Sequence, residues 1–172
     1  AKAGNVVLPM LFRLGEPRGR PDKPLPDYIK KNAISQVEKG EDPPLLTSDV
    51  EAPVVEILGL NAAAIGHLNV NPDIDGGIRT EPLVLAHFNE IYPALSLMIA
   101  AKSLNLGVAD IKVKLGDSVR LGNLKIGTDP AMQMNTFFYK DREGKPAFQV
   151  DSFFDVASGK IPLDKYKDKI VL

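Results

Sequence analysis

The run YPALSLMIAAKSL, from Tyr92 to Leu104, constrains this chain more than any other stretch. Pro93 is placed to open a helix, and Leu95, Leu97, Met98, Ile99, Ala100, Ala101 and Leu104 then cover almost its whole circumference. Only a narrow polar line through Ser96 and Ser103 remains. A helix this apolar must be covered on nearly every side. The expected cover is a sheet and a further layer of its own domain; the alternative is a second subunit, in a homodimer.

Composition narrows the function classes. With 172 residues, 44% hydrophobic and 25% charged, the chain has a globular composition and the length of one domain. A net charge of −1 and a pI near 6.2 give no electrostatic footprint for nucleic acid or an anionic membrane. The absence of cysteine removes disulfides, thiolate zinc sites and cysteine nucleophiles. No run approaches the ~20 apolar residues of a membrane span, and no signal peptide opens the chain. Asn5–Leu11 and Lys169–Leu172 both resemble strands, and the second stops mid-pattern, which predicts an excised piece of a longer protein.

Hydrophobic patterning predicts a mixed α/β (α+β) fold: a sheet with flanking helices, extended by a meandering antiparallel β part. We expect one domain over 1–172, in three parts (1–65, 66–106 and 107–172). Val6, Val7 and Leu8 form a continuous run that suits a strand buried on both faces, with Pro9 marking a bulge or edge. Arg13 to Pro26, rich in Pro and Arg, reads as an exposed loop. Asp27 is expected to cap a helix reaching Lys39 and closed by Gly40. The link EDPPLLTSD leads to a second helix opened by Pro53 and carrying Val54, Val55, Ile57, Leu58 and Leu60.

Leu68 and Val70 alternate with His67, Asn69 and Asn71, which predicts a strand with two unlike faces. After the turn residues PDIDGG, Ile78 to Ala86 would return as its antiparallel partner, with Arg79 and Glu81 on one face and Leu83 to Leu85 buried. His87 to Glu90 would be an exposed polar link. Further on, residues 111–115, 119–121, 124–126 and 132–139 read as strands, and Ser152 with Asp155 as the cap of a short helix closed by Gly159. The lysines from Lys160 to Lys169, balanced by Asp164 and Asp168, read as a solvated face.

Candidate chemistry gathers in the central stretch. Asn71, Asp73, Asp75 and Gly76 reproduce the first half of a calcium-binding EF-hand loop, with Ile78 at its apolar position. The twelfth position, which should be Glu, is Pro82, so a turn whose Asp side chains bond their own backbone is expected instead of a metal site. His67 shares a face with Asn69 and Asn71, and it is either a ligand contact or a residue hydrogen-bonded to a neighbouring strand. His67, Asn69, Asn71, Asp73, Asp75 and Arg79 are therefore the ligand-binding candidates. No GxSxG elbow, P-loop or dinucleotide fingerprint occurs, and no catalytic residue, metal ligand or cofactor is assigned. A hydrolase in which Asp73 or Asp75 faces another carboxylate is the weakest alternative.

The order of five segments carries a resemblance. GNVVLP (Gly4–Pro9), IGHLNVNPDIDGGIRTEPL (Ile65–Leu83), YPALSLMIA (Tyr92–Ala100), VDSFFDVASGKI (Val150–Ile161) and the KDKIVL ending resemble the type-two CHASE sensor family. The resemblance implies an extracytoplasmic (periplasmic) sensory domain of a bacterial membrane receptor. Its membrane helices and its output enzyme, an adenylate or diguanylate cyclase, a histidine kinase of a two-component system or a Ser/Thr kinase, would lie outside this chain. It further implies that an Asp-rich first portion of the family domain, with Trp-Pro-Arg-type motifs, is missing here. The implied partner is an unidentified small molecule or envelope signal. A dimerising module that binds no small molecule is the competing role.

Overall fold

A computed structural model describes residues 4–19, 24–40 and 42–172. The first sheet is organised by β1 (Val7–Leu14), whose two edges are used over different lengths. Val7 to Met10 pairs in parallel with β4 (Ala64–His67), and Leu11 to Leu14 pairs antiparallel with β3 (Leu46–Ala52) through two irregularities in register. Val6 and Met10 turn their carbonyls to the N–H groups of Ala63 and Leu68, so Pro9 directs its nitrogen to the side where β3 has not begun. Its missing donor therefore breaks no ladder bond, as its place beside a bulge anticipates.

β3 continues in parallel to β6 (Val84–His87), which forms a hairpin with β7 (Glu90–Pro93), giving the order β4-β1-β3-β6-β7. A second sheet has the order β10-β9-β8-β2, from β2 (Gln36–Glu38), β8 (Ile111–Lys114), β9 (Ser118–Leu121) and β10 (Leu124–Gly127). A third pairs β5 (Thr80–Pro82) with β11 (Gln133–Asn135).

Alternation along the five-stranded sheet feeds two separate cores. Ala64 and Val84 face α3 (Leu95–Ser103), which contributes Leu97, Met98 and Ala101, and beyond it Ile111, Val113, Val119 and Leu121 of the second sheet. On the opposite face Met10, Phe12, Ile65, Leu85 and Tyr92 pack with Ile29, Val54 and Ala62. Both faces of the sheet are thus covered near its centre, but the run Val6 to Leu8, expected to be buried on both faces, is not: Val6 precedes β1 and is 40% exposed, and Val7 and Leu8 are half-buried at the start of the strand. The apolar helix is covered within its own chain, and no residue from Leu95 to Lys102 is exposed. It begins at Leu95 because Pro93 is the last residue of β7.

Tertiary pairing overrides several local expectations. The helix expected from Asp27 to Lys39 shrinks to α1 (Asp27–Lys30). The buried Asn32 amide donates to the carbonyls of Tyr28 and Ile29 and ends it, while its oxygen accepts from the Ile65 N–H at 2.9 Å. Beyond that point β2 joins β8, so the β-branched Val37 serves a strand. The link expected over 41–49 contains the start of β3, with Thr47 buried; Glu41 itself lies outside the described residues. The helix expected after Pro53 is only α2 (Glu56–Gly59), with Ile57 and Leu58 exposed. Of the loop expected over Arg13 to Pro26, the first two residues belong to β1 and residues 20–23 lie outside the described ones.

The expected hairpin of Leu68–Val70 with Ile78–Ala86 does not form. Strand β4 ends at His67, and the returning segment divides between β5 and β6, whose partners lie elsewhere. His87 to Glu90 is the tight turn of the β6–β7 hairpin, with Phe88 in the left-handed region at φ +52. The strand expected over 132–139 covers only Gln133 to Asn135.

The chain divides into two units, Ala1–Thr136 and Phe137–Leu172. In the second, the Ser152 hydroxyl accepts from the Asp155 N–H and caps α4 (Phe153–Ala157), and Gly159 closes it at φ +76. Lys160 and Lys165 pair with Asp155 and Asp151 instead of the nearer-looking Asp164 and Asp168. The KIVL ending, expected as a strand, is irregular and exposed, and no strand among the described residues pairs with it.

Gly66 seats α3 on the sheet. A Cβ there would lie 2.6 Å from the Leu95 Cα and 2.7 Å from its nitrogen, so backbone meets backbone. Gly66→Ala is expected to lower stability by about 1–3 kcal/mol, the usual cost of overpacking a core. Urea denaturation measures it, and an unchanged midpoint would show that α3 is not seated through this contact.

Candidate functional site

The alternation at His67 to Asn71 is real, and its polar side is the one turned inside. His67 and Asn69 are buried, whereas Leu68 and Val70 are 50% and 43% exposed. Strand β4 has ended by then, and the chain leaves the sheet with its polar side chains turned inward. Asn69 makes this tolerable: its Oδ1 accepts from the Phe12 N–H at 3.0 Å and its Nδ2 donates to the Phe12 carbonyl at 2.6 Å. Phe12 stands opposite Val50 in the β1–β3 ladder, and its amide groups point the other way, to where β4 would have continued. The carboxamide therefore takes the place of one more strand residue.

His67 is the opposite case. It lies opposite Met10, bridges to Ala94, and is 2% exposed, yet neither ring nitrogen finds a partner among the described residues. Desolvation of the cation pushes its pKa down to about 3, so the ring is neutral over the whole physiological range.

Asn71 and the loop after it are tied outside the sheet. The Asn71 amide donates to Gln133 Oε1 at 3.1 Å, and Gln133 is held in turn by Asp129. Asp73 to Gly77 closes on itself through bonds of the Asp73 N–H to the Gly77 carbonyl and of the Gly76 N–H to the Asp73 carbonyl, both 2.8 Å. Gly76 supplies the positive φ of +78 that this turn needs.

Across the loop, the Arg79 guanidinium meets Asp73 Oδ2 at 2.6 Å and both oxygens of Asp75, at 2.9 and 2.7 Å. That pairing, with the Gly77 N–H, holds the Asp75 carboxyl down at about 2. The two carboxylates that a calcium loop would use are thus occupied by an internal cation. Among the described residues no three acidic or histidine side chains converge as a metal site would need.

The six candidates therefore fall into three groups rather than one pocket. His67 and Asn69 are interior, Asn71 bridges to β11, and Asp73, Asp75 and Arg79 form an exposed clamp.

A second polar cluster escaped the sequence patterning. His87 was expected to be exposed and is 5% exposed instead, its ring tilted by 38° against Phe12 at 5.1 Å between centroids and edge-on at 4.8 Å to Phe88. The Thr47 hydroxyl donates to the Ala86 carbonyl at 3.0 Å. Its 2.9 Å contact with His87 Nδ1 must then be accepted, which assigns the Nδ1–H tautomer. Beside it the Tyr92 hydroxyl donates to Glu90 at 2.6 Å, and burial followed by that carboxylate pushes the phenol pKa up. Burial lowers the His87 pKa against the raising influence of Glu90 and Asp49. The available signal was the unbroken run Leu83 to Ala86, since a strand buried on both faces also buries the residue that follows.

The His67 shift fixes a pH dependence. Between pH 6.5 and about 3 the unfolded chain binds a proton at His67 that the folded chain refuses. Stability contributed by the neutral ring is complete above the unfolded value and is lost as pH falls, by at most about 1.4 kcal/mol per pH unit. His67→Leu is expected to leave stability at pH 7.5 equal or higher, because the ring makes no hydrogen bond among the described residues, and to flatten the acid slope. Denaturant midpoints at about pH 7.5, 5 and 4 test it; an acid slope identical to that of the parent would contradict a buried neutral imidazole.

Neither the curated proteins nor the solved structures contain a match to this chain. One family model does match, that of the CHASE2 domain, over residues 1–172. CHASE2 domains are extracytoplasmic sensor domains of signalling receptors and are not themselves catalytic. With the match spanning its whole length, the chain belongs to the CHASE2 domain family.

Proposed function

We propose that this chain is the input domain of a bacterial transmembrane receptor whose output domain, a cyclase, histidine kinase or Ser/Thr kinase, lies elsewhere in the protein. The input enters through the segment from His67 to Arg79. One observation carries this: the segment is irregular and partly exposed, yet each of its fastenings goes to a different place. Asn69 holds β1, Asn71 holds Gln133 of β11, and Arg79 holds the loop's own Asp73 and Asp75.

Asp73, Asp75 and Arg79 are the contact groups in this scheme. A ligand or partner with a cation for the carboxylates, or an anion for the guanidinium, competes with the clamp. Exposed ion pairs of this kind are screened by solvent and contribute little net stability, so binding can open the clamp readily. His67, Asn69 and Asn71 are positioning residues. They couple the loop to β1, to β11 and, through the neighbouring Gly66, to the start of α3. The ligand biases the two arrangements only by its differential affinity for them.

The test uses membranes carrying the full-length receptor. Asp75→Asn with Arg79→Gln is expected to shift the half-maximal stimulus concentration roughly tenfold, about 1.4 kcal/mol of differential binding. The melting temperature should move little, since the altered groups are exposed. A stimulus–output curve superimposable on that of the parent would place the input elsewhere.

A further inference from the structure

The second sheet has a solvated face whose charges are arranged against its own stability. Lys112 of β8 stands directly opposite Arg120 of β9, and Arg120 directly opposite Lys125 of β10. The row continues through Gln36 of β2, which lies beside Lys112. The next row brings Glu38 beside Lys114 and Lys114 opposite Ser118. Ile111, Val113, Val119 and Leu121 are fully buried on the other face, so the register cannot slip to part the cations.

Directly opposed like charges destabilise a sheet, whereas an ordinary solvated face pairs opposite signs across its strands. Composition does not force the arrangement, since the chain has 22 acidic residues against 21 Lys and Arg. Among the described residues only Lys125 of the row has an ion-pair partner, Asp117 at 3.2 Å. Asp117 also accepts from the Ser118 hydroxyl at 2.6 Å and is drawn to the edge of the row. The Gln36 amide is spent on the Ala109 carbonyl. Lys112 and Arg120 are left facing a concavity of about 460 Å³, lined also by Glu38, Lys114, Asp117 and Ser118.

We infer that this concavity is a binding site for a small multivalent oxyanion, one carrying two or three anionic groups about 5 Å apart, the separation of neighbouring strands. A row of cations on adjacent strands matches such spacing, and Arg120 can engage an oxyanion through two parallel N–H donors. Glu38 and Asp117 border the row and disfavour a larger anion that would overrun it. The site lies on a different sheet from the His67–Arg79 segment and does not depend on the role proposed for it.

Isothermal titration of the 172-residue chain with tripolyphosphate and with citrate tests the inference, with inorganic phosphate as the single-group comparator. At least one polyanion is expected to bind more tightly than phosphate and to weaken as NaCl rises from about 50 to about 500 mM. Tripolyphosphate alone would identify a phosphate chain and citrate alone a polycarboxylate, while equal binding would mean that charge spacing governs recognition. Lys112→Gln with Arg120→Gln should weaken binding at least roughly tenfold, each single substitution less, and Lys31→Gln not at all.

The double variant should also melt no lower than the parent, because it relieves repulsion; a purely structural pair of cations would give a lower melting temperature. Binding that survives both substitutions, or the absence of any polyanion binding below about 1 mM, would overturn the inference.

Discussion

Much of the first unit depends on one carboxamide. Strand β1 has β3 on one side from Leu11 onward, but its other neighbour, β4, ends at His67. Phe12, fully buried beyond that point, would have its N–H and carbonyl stranded in the core, at about 1–3 kcal/mol for each unsatisfied group. Asn69 satisfies both. The chain can therefore leave the sheet two residues after β4 ends without exposing the centre of the sheet to water, and the loop that follows is free to be shaped by something other than strand pairing.

That freedom links fold to function. Upstream, β4 is pressed against the first residue of α3 through Gly66, with no side chain between them. Downstream, the loop is closed by an arginine across two aspartates at the surface. A rigid seat and a weak clamp thus lie within one short stretch, joined by interior polar residues that permit few alternative positions. In the function proposed for this sensor-family chain, such a stretch would be the route by which a surface contact alters how a helix packs.

The sequence made the skeleton of this arrangement legible where one residue type has one solution. The near-continuous apolar surface of the Leu95 helix demanded cover and is largely covered, with Leu97, Met98 and Ala101 buried, Leu95, Ile99 and Ala100 half-buried and Leu104 exposed, and Lys112, Lys114 and Arg120 marked wet faces that the fold retains. The Ser152 cap and the Gly159 stop were local chemistry and formed as such. What could not be read were choices made by distant partners. Val37 became a strand residue because β8 lies alongside it, and Thr47 entered a strand because β6 does. The alternation at His67 to Asn71 announced two faces without saying which was inside. Hydrophobicity alone would put Leu68 and Val70 inside, because it has no means of knowing that Phe12 needed a donor and an acceptor from outside its own ladder.

Amide hydrogen exchange at Phe12, in the parent and in Asn69→Ala, tests this account most directly. If the carboxamide closes the ladder, the Phe12 amide exchanges in the parent only by large-scale opening, as slowly as its neighbours in β1. In Asn69→Ala it should become faster by one to two orders of magnitude or more, in keeping with a lost buried hydrogen bond of ~1–3 kcal/mol, while Leu85 in β6 changes only with global stability. Equal protection of Phe12 in the two proteins, after correction for global stability, would contradict the claim that Asn69 completes the sheet.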